Sequence, residues 1–376
     1  VALIGASSRP GSVGQMVLAN LVDGGFPGPI YAINPKPIEL PGVIWAATIE
    51  ALPHVPDLAI VATPAETIPD VIARLGALGT RAVVVISAGL NHANGLRQAM
   101  LDAAKPHLLR IVGPNCIGMM MPHARLNASF ARAEMRPGRL ALISQSGALV
   151  TAILDWAGAR DIGFSGVVSV GDMADVDLGD LIGLFAADPN TDAILLYVEG
   201  ATNPAKFIAA ASAAAAHKPV IAIKAGRTAA ARKAALSHTG ALAGSWEVYR
   251  SVFRGAGIVM VDNLTDMFDA AEILCETNSI AGSGLGIVTN GGGAGILAAD
   301  ALGETPGRLS ELAPETVATL DAVLPSGWSR ANPVDVIGDA HADRYRAAIA
   351  STLADPSVDA LLVMHCPVAI VAADEI

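Results

Sequence analysis

Aromatic and charged residues are scarce in this sequence, and it contains no apolar run long enough to cross a membrane. Of its 376 residues, 4% are aromatic and 16% are charged, although 52% are hydrophobic. The longest apolar candidate, residues 360–373, is too short for a span and contains His365 and Pro367. We therefore expect a buried strand there and no membrane association. The net charge of −11, without a basic cluster, argues against a nucleic-acid partner.

Cysteine is also rare. Cys116, Cys275 and Cys366 are scattered, and none of them forms a CxxC pair. This excludes a disulfide framework and a cysteine zinc site, so the sequence predicts no metal ligands. Three scattered cysteines without a CxxC motif indicate a reducing compartment, and no signal peptide is visible. We expect a cytoplasmic protein.

Short apolar runs alternate with amphipathic stretches along the whole chain. VALIGA, PIYAINP, LAIVATP, RAVVVISAG and LRIVGPN each end in a turn residue, which is typical of a parallel α/β sheet. We place a first domain at residues 1–123. The alternation restarts for a second domain at 124–277, and NSIAGSG (278–284) is interpreted as a linker. A third series, 284–376, has too few strands for a complete domain, so we expect the polypeptide to continue.

All three domains open with a strand, a Gly/Ser-rich turn and a helix. The turns lie in IGASSRPGSVG, ISQSGALV and VTNGGGAGIL. Such a turn presents free backbone N–H groups at a helix N-terminus, where phosphate binds readily. Small residues are also needed there for close packing, so one turn means little. Three in one chain favour polyphosphate chemistry.

The first turn lacks the dinucleotide fingerprint. Its glycines, Gly5, Gly11 and Gly14, do not form GxGxxG. The second strand ends in Asn34, Pro35 and Lys36, where an NAD site needs an acidic residue for the ribose diol. An amide and a cation suit a phosphorylated ribose better. On these grounds both coenzyme A and NADP stay open.

The stretch SHTGALAGS, residues 237–245, places His238 among small residues. A neutral imidazole is nucleophilic near pH 7, and a carboxylate on its other nitrogen fixes the tautomer. Glu199, at the end of the strand LLYVEG, is the candidate carboxylate because sites collect at that edge of a parallel sheet. The competing interpretation is that His238 only caps a helix or completes a turn.

Taken in order, these motifs resemble the NDP-forming acyl-CoA synthetases, relatives of succinyl-CoA synthetase. GASSRPGSVG, INPK, VATP, VISAGL and GPNCIG resemble the CoA-binding domain of that family. SQSGAL, SVGDMADVD, YVEG and SHTGALAGS resemble its phosphohistidine domain, and TNGGGAG and NPVDVIGDA its following ligase domain. The resemblance implies a Rossmann-like CoA-binding domain followed by two flavodoxin-like parallel-sheet domains, the third incomplete.

The resemblance also implies residue roles. His238 would carry the phosphoryl group and Glu199 would hold its imidazole. Two turns would bind phosphate: Ser144, Gln145, Ser146 and Gly147 in the first, Gly292 and Gly293 in the second. The CoA site would be lined by Gly5, Ser7, Ser12, Lys36, Thr63, Ser87 and Asn115. Asp172 stands where this family often has Asn, which would alter the acyl pocket.

The implied reaction interconverts acyl-CoA, ADP and phosphate with a carboxylic acid, CoA and ATP, through an acyl phosphate and phosphohistidine. ATP or ADP and Mg²⁺ would be bound mainly by an ATP-grasp domain outside these residues, in the same polypeptide or in another subunit. We therefore expect a homo- or hetero-oligomer whose partners are a small carboxylic acid or acyl-CoA and that domain.

Three other functions compete with this one. The strongest is a non-catalytic region of a protein acetyltransferase that senses CoA or acyl-CoA; the presence of both His238 and Glu199 favours the enzyme. An NADP oxidoreductase is disfavoured by the absent fingerprint. A serine hydrolase is disfavoured because SQSGAL lacks the glycine two residues before Ser146 that a nucleophile elbow requires.

Overall fold

The computed structural model describes residues 1–91, 93–132, 136–231, 233, 245–276 and 282–368. They group into two compact units, residues 1–276 and residues 277–376. The first unit contains two sheets and the second contains one. This architecture confirms the predicted α/β class with parallel sheets. None of the described helices is both long enough and apolar enough for a membrane crossing.

The first sheet is entirely parallel and has the order β3-β2-β1-β4-β5-β6. This is the Rossmann order, in which the direction of winding reverses between β1 and β4. Apart from the edge strand β3, where Ile44 and Trp45 are exposed, its strands are mostly buried apolar runs, because helices cover both faces. The strands are β1 (Ala2–Ile4), β2 (Ile30–Ile33), β3 (Val43–Ala46), β4 (Leu58–Val61), β5 (Ala82–Val85) and β6 (Arg110–Val112). The helices are α1 (Val13–Asp23), α2 (Ile68–Leu78) and α3 (Leu96–Ala104).

The second sheet has the order β13-β12-β11-β9-β10-β7-β8. Its first five strands are parallel and follow the flavodoxin-like order, whereas β7 pairs antiparallel with both β10 and β8. The strands are β7 (Gly118–Met121), β8 (Leu126–Ser129), β9 (Pro137–Ser144), β10 (Phe164–Ser169), β11 (Ala193–Val198), β12 (Val220–Lys224) and β13 (Val259–Val261). The helices are α4 (Gly147–Gly158), α5 (Leu178–Ala187), α6 (Pro204–Ala215), α7 (Trp246–Gly255) and α8 (Leu264–Glu276).

The first two sheets are held together by hydrogen bonds. Asn20 of α1 donates through Nδ2 to the carbonyl oxygens of Ser129 and Ala131, at 2.8 and 2.9 Å. The loop after β10 docks on the loop after β6, where the Asp172 N–H donates to the Pro114 oxygen at 2.9 Å. The turns that end β6 and β10 therefore lie against each other.

The second unit is built on one parallel sheet, in which β14 pairs with β15 and β16 on one side and with β17 on the other. The predicted strand in residues 360–373 is present as β17, but it is not buried: Leu362 is 38% and Val363 43% exposed. Among the described residues no strand covers the outer side of β17, which explains the difference. Most of the predicted linker, residues 278–281, lies outside the described residues. The strands are β14 (Gly284–Thr289), β15 (Arg308–Leu309), β16 (Val334–Asp335) and β17 (Ala360–Met364). The helices are α9 (Gly292–Gly303), α10 (Pro314–Val323) and α11 (Ala342–Leu353).

Candidate functional site

The residues predicted to line a CoA site lie along one edge of the first sheet or at the start of α1. Parallel strands end at a common edge, and ligands of such sheets bind there, beside the point where the winding reverses. The predicted residues follow β1, β2, β4, β5 and β6 or precede α1: Gly5, Ser7, Ser12, Lys36, Thr63, Ser87 and Asn115. The fold therefore brings them to one crevice edge, and their role as ligands stays a prediction.

Two glycines bring the backbone of this crevice close together. Gly5 has φ +88°, and a Cβ there would lie 2.6 Å from the carbonyl oxygen of Ala62. A Cβ at Gly14, in the first turn of α1, would lie 2.1 Å from the carbonyl oxygen of Gly5. Both positions need glycine, because a side chain at Gly5 would push the end of β1 away from the end of β4, and one at Gly14 would push α1 away from the end of β1. The N-terminus of α1 thus lies directly at the end of β1.

Several polar side chains of the crevice already have partners in the surrounding loops. The Ser12 hydroxyl caps α1 by accepting from the Gln15 N–H at 3.4 Å, and it donates to the Arg9 oxygen at 2.7 Å. The Ser87 hydroxyl donates to the Thr63 oxygen at 2.5 Å. These bonds fix the loops that would contact a ligand.

Lys36 is exposed at the end of the turn that follows β2. Its N–H donates to Oδ1 of Asn34 at 2.8 Å, and Nδ2 of Asn34 donates to the Ala6 oxygen at 2.7 Å. The Trp45 indole N–H donates to the Asn34 oxygen at 2.9 Å. Asn34 therefore fixes the turn by its own hydrogen bonds, and the ammonium of Lys36 is left at the surface beside the crevice.

Asp172 lies between the two sheets of the first unit, beside the predicted CoA residue Asn115. Nδ2 of Asn115 donates to Oδ1 of Asp172 at 3.2 Å. Burial raises the pKa of the Asp172 carboxyl, against the opposing effects of this hydrogen bond and of the positive charge of Arg97. Asp172 is thus a half-buried carboxyl beside the crevice in which CoA binding is predicted.

The turn between β9 and α4 carries the first predicted phosphate site. The Ser144 hydroxyl accepts from the Ser146 N–H at 3.1 Å, and the Ser146 hydroxyl caps α4 by accepting from the Leu149 N–H at 3.3 Å. Within the described ranges, the N–H groups of Gly147 and Ala148 have no hydrogen-bond partner. The first helical turn therefore has two donors for an anion, and the helix dipole adds to their effect.

The loop that follows β11 is held by side chains from two other elements. Oε1 of Gln145 accepts from the N–H groups of Glu199 and Gly200, at 2.6 and 3.0 Å. The Tyr249 hydroxyl of α7 accepts from the Ala201 N–H at 3.0 Å. Three consecutive N–H groups are thus fixed, and Glu199 is held beside the turn that leads into α4. The side chain of Gln145, predicted as part of a phosphate site, is used to position this loop.

Lys224 was not identified from the sequence, although it lies beside this loop. It is the last residue of β12 and is only 4% exposed. Its ammonium lies 4.5 Å from the centre of the Tyr249 ring. Burial lowers the pKa of Lys224, while the negative charge of Glu199 acts in the opposite direction. A lysine that ends an otherwise apolar strand, as in PVIAIKAG, was the available signal.

His238 and residues 237–244 of the motif SHTGALAGS lie outside the described residues. The predicted contact between His238 and Glu199 therefore stays a prediction. The described chain stops before this segment at Lys233 and resumes at Ser245, just before α7.

The second predicted phosphate turn, in the second unit, has the same local design as the first. The Thr289 hydroxyl accepts from the Gly291 N–H at 3.1 Å, as Ser144 does from Ser146. Gly292 and Gly293 then form the exposed first turn of α9, which no side chain caps. Each unit thus has a hydroxyl residue that folds the strand end into a helix N-terminus.

The described cysteines and acidic residues form no metal centre. No group of three or more His, Cys, Asp or Glu side chains within the described ranges is arranged to hold a metal ion. Burial raises the pKa of the Cys116 thiol to about 12, so this residue near the CoA crevice is a neutral thiol.

Replacing Gln145 by methionine should loosen the loop that carries Glu199. Methionine keeps the length of the side chain but leaves two N–H groups without their acceptor, which costs about 1–3 kcal/mol of local stability. We expect amide exchange at Glu199 and Gly200 to accelerate about 10- to 100-fold, as measured by hydrogen–deuterium exchange. The control is Gln98→Met, which removes only an exposed hydrogen bond to Asp102. Unchanged exchange at 199–200 would show that Gln145 does not hold the loop.

Family models match three consecutive parts of the chain. A CoA binding domain matches residues 1–122, a succinyl-CoA ligase like flavodoxin domain residues 137–274, and a Ligase-CoA domain residues 285–373. The three matching families occur in the same order along the chain as the three series of motifs in the sequence.

Similar full-length proteins are ADP-forming CoA ligases. The chain is 39% identical to acetate–CoA ligase [ADP-forming] I of Archaeoglobus fulgidus over 98% of its length, but it spans only 54% of that relative. It is 38% identical to the alpha subunit of acetate–CoA ligase [ADP-forming] I of Pyrococcus furiosus, covering 98% of the chain and 82% of the subunit. An acetyl-coenzyme A synthetase of Ca. Korarchaeum cryptofilum, solved with phosphate and ADP, matches with a TM-score of 0.90 and 37% identity over 98% of this chain and 81% of that one. The chain therefore belongs to the family of NDP-forming acyl-CoA synthetases.

Proposed function

We propose that this chain supplies the CoA-binding and phosphohistidine parts of an enzyme that interconverts acyl-CoA, ADP and phosphate with a carboxylic acid, CoA and ATP. The observation that carries the proposal is the position of Glu199 beside the turn that leads into α4, where two N–H groups are available for a phosphate. The crevice of the first sheet, in the same compact unit, would hold CoA.

In the first step, a phosphate oxygen attacks the acyl carbon of acyl-CoA. The carbon–sulfur bond breaks, CoA leaves as a thiolate that takes up a proton, and an acyl phosphate remains. The N–H groups of Gly147 and Ala148 would hold the phosphate, because donors at a helix N-terminus stabilise negative charge without having to reorganise. Asp172 and Asn115 would lie near the acyl end of CoA, where they would affect the choice of acyl group.

In the second step, His238 attacks the phosphorus of the acyl phosphate. The phosphorus–oxygen bond breaks, and the carboxylate product leaves. Glu199 would accept a hydrogen bond from the other ring nitrogen, which fixes the tautomer and stabilises the positive charge that the ring acquires. The loop bonds of Gln145 and Tyr249 would keep this carboxylate in place.

In the last step, phosphohistidine passes its phosphoryl group to ADP. An ATP-grasp domain in another subunit or in another region of the polypeptide would bind the nucleotide, and Mg²⁺ there would neutralise phosphate charge. Gly292 and Gly293 at the start of α9 would offer a second place for the phosphoryl group. The relative from Pyrococcus furiosus is named as an alpha subunit, which supports a partner subunit and a homo- or hetero-oligomeric assembly.

A non-catalytic CoA-sensing region of a protein acetyltransferase is the second candidate. The relatives described above are named as ligases over nearly the whole chain, which does not favour a sensor. An NADP oxidoreductase is disfavoured by the CoA binding domain model that covers residues 1–122.

Calorimetric titration should show binding of CoA and little or no binding of NADP. If the Lys36 ammonium contacts the 3′-phosphate of CoA, dephospho-CoA should bind about 10-fold more weakly, because a charge-assisted hydrogen bond contributes about 1.5–3 kcal/mol. Lys36→Met should remove this difference in affinity between CoA and dephospho-CoA. The control Lys105→Met should preserve the difference, because Lys105 directly follows the C-terminus of α3 and is not among the predicted CoA residues. Tighter binding of NADP than of CoA would overturn the assignment.

A further inference from the structure

Lys224 is a buried cation at the edge of the sheet where the phosphoryl group would be transferred. It is 4% exposed, whereas lysine is rarely buried this fully without a partner. Lys224 pairs in register with Val198 of β11, the residue directly before Glu199. The neighbouring parallel strands β11 and β12 therefore bring two charged residues to the same edge of the sheet: Glu199, directly after β11, and Lys224, the last residue of β12.

The contacts of Lys224 orient its ammonium at the strand ends. Nζ donates to the carbonyl oxygen of Ala225 at 2.5 Å and lies 4.5 Å from the centre of the Tyr249 ring. A cation over an aromatic face is attracted to it, most strongly where water is excluded. The same Tyr249 accepts through its hydroxyl from the Ala201 N–H. Tyr249 thus contacts both Lys224 and the loop that contains Glu199.

Glu199 is the acidic group that acts on Lys224. Burial lowers the pKa of Lys224, and the negative charge of Glu199 acts in the opposite direction because it favours the charged ammonium. Among the described residues, Tyr249 contacts Lys224, and the pKa of Tyr197 on β11 is raised by burial and then by the charge of Glu199. Arg227, further along the chain, pairs with Asp262 at 2.8 Å.

We propose that Lys224 is a positioning residue for phosphoryl transfer, whose ammonium keeps Glu199 ionised and aimed at the histidine it would hold. This inference rests on the proposed function for its consequence, whereas the proximity of Lys224 to the Glu199 loop follows from the pairing of β11 with β12 and from Tyr249, which contacts both. An ionised carboxylate accepts the imidazole N–H more strongly than a carboxylic acid does. Lys224 would therefore act through Glu199 rather than on the phosphate.

The coupling can be tested without any activity measurement. In protein labelled with ¹³C at glutamate carboxyls, the Glu199 signal is identified by its loss in Glu199→Gln and followed from about pH 3 to 8. We expect Lys224→Met to move the titration midpoint of Glu199 to higher pH by about one unit or more, because a neighbouring cation is lost. Lys224→Arg, which keeps the positive charge, should leave the titration midpoint of Glu199 close to its wild-type value. Lys218→Met, which removes a lysine bound to the Phe185 and Asp188 oxygens before β12, should leave it unchanged.

The effect of Lys224 on phosphoryl transfer is tested in the complete enzyme by single-turnover labelling of the protein from radioactive ATP. Lys224→Met should slow phosphohistidine formation about 10- to 100-fold and move the acidic limb of its pH profile to higher pH. In a Glu199→Gln background the same substitution should have little further effect, since residues that act through one another are not additive. If Lys224→Met does not fold, Lys224→Gln and Lys224→Arg provide the same comparison.

The outcomes separate the two proposals. An unshifted Glu199 titration in a folded Lys224 variant overturns the inference, whatever the enzyme does. A shifted titration in a protein that never labels His238 supports the coupling and overturns the proposed function. Full additivity of the two substitutions would show that Lys224 does not act through Glu199.

Discussion

Replacing His238 by alanine should reduce turnover of the complete enzyme by on the order of 10⁴-fold or more and abolish covalent labelling from ATP. In the proposed mechanism, the phosphoryl group moves between acyl phosphate and nucleotide only through His238, so loss of this nucleophile should leave little residual transfer. The measurement is steady-state turnover together with mapping of the label. The label on the wild-type protein should be acid-labile and base-stable, as a phosphoramidate is and a phosphoserine is not.

The matched control for this substitution is His217→Ala. His217 is an exposed histidine in the turn before β12, whereas His238 follows β12 in the sequence. The His217→Ala enzyme should retain full covalent labelling from ATP and full turnover. CoA affinity should be nearly unchanged in both variants, because the candidate CoA residues belong to the first sheet. Normal turnover of His238→Ala would refute the synthetase mechanism and leave His238 as a structural turn residue.

Glu199→Gln should keep the fold and CoA affinity but slow phosphohistidine formation by about 10²–10³-fold. An amide is nearly the same size as the carboxylate, and the loop N–H groups that Gln145 and Tyr249 bind belong to the backbone. What is lost is the negative charge that stabilises the positive imidazole during transfer. Single-turnover labelling measures this step directly.

Glu272→Gln provides the comparison for the loss of a negative charge. Glu272 is exposed on α8 and should tolerate the change without a measurable effect on labelling. A Glu199→Gln enzyme that labels as fast as wild type would show that the carboxylate does not hold the histidine. Slow labelling that is accompanied by faster exchange of the 199–201 amides would instead indicate that the loop had loosened.

The parallel parts of the fold could be predicted because their strands are short apolar runs that end in turn residues. AVVV and LAIV are buried on both faces, so their continuous apolar character reveals them without structural information. Thr63, Ser87 and Asn115 were singled out by the resemblance to the family, and the fold places them at one edge because parallel strands end there.

The antiparallel strands could not be predicted in the same way. β7 reads GMMM and β8 reads LNAS, and neither sequence is rich in β-branched or aromatic residues. They are strands because β7 pairs with β10, a partner that lies far along the chain. β17 was predicted as a strand, but its exposure depends on neighbouring strands rather than on its own residues.

The role of Lys224 depends on packing that no local pattern contains. Its contact with Tyr249 exists because α7 places that ring against the last residue of β12, and its relation to Glu199 exists because β11 and β12 pair in register. The sequence provided only a lysine at the end of an apolar strand. Such a buried charge is recognised only when the residues at the ends of two paired strands, here β11 and β12, are considered together.

The docking of β8 on α1 determines how this architecture can be recombined with its relatives. A chimera cut at residue 123 would take β7 from one parent and β8 from the other, although Met119 and Ala128 pair directly. It would also separate Asn20 from the two carbonyl oxygens that it binds. A graft that carries residues 1–131 as one piece keeps both features. Moving a CoA crevice between family members therefore requires moving this strand pair with it.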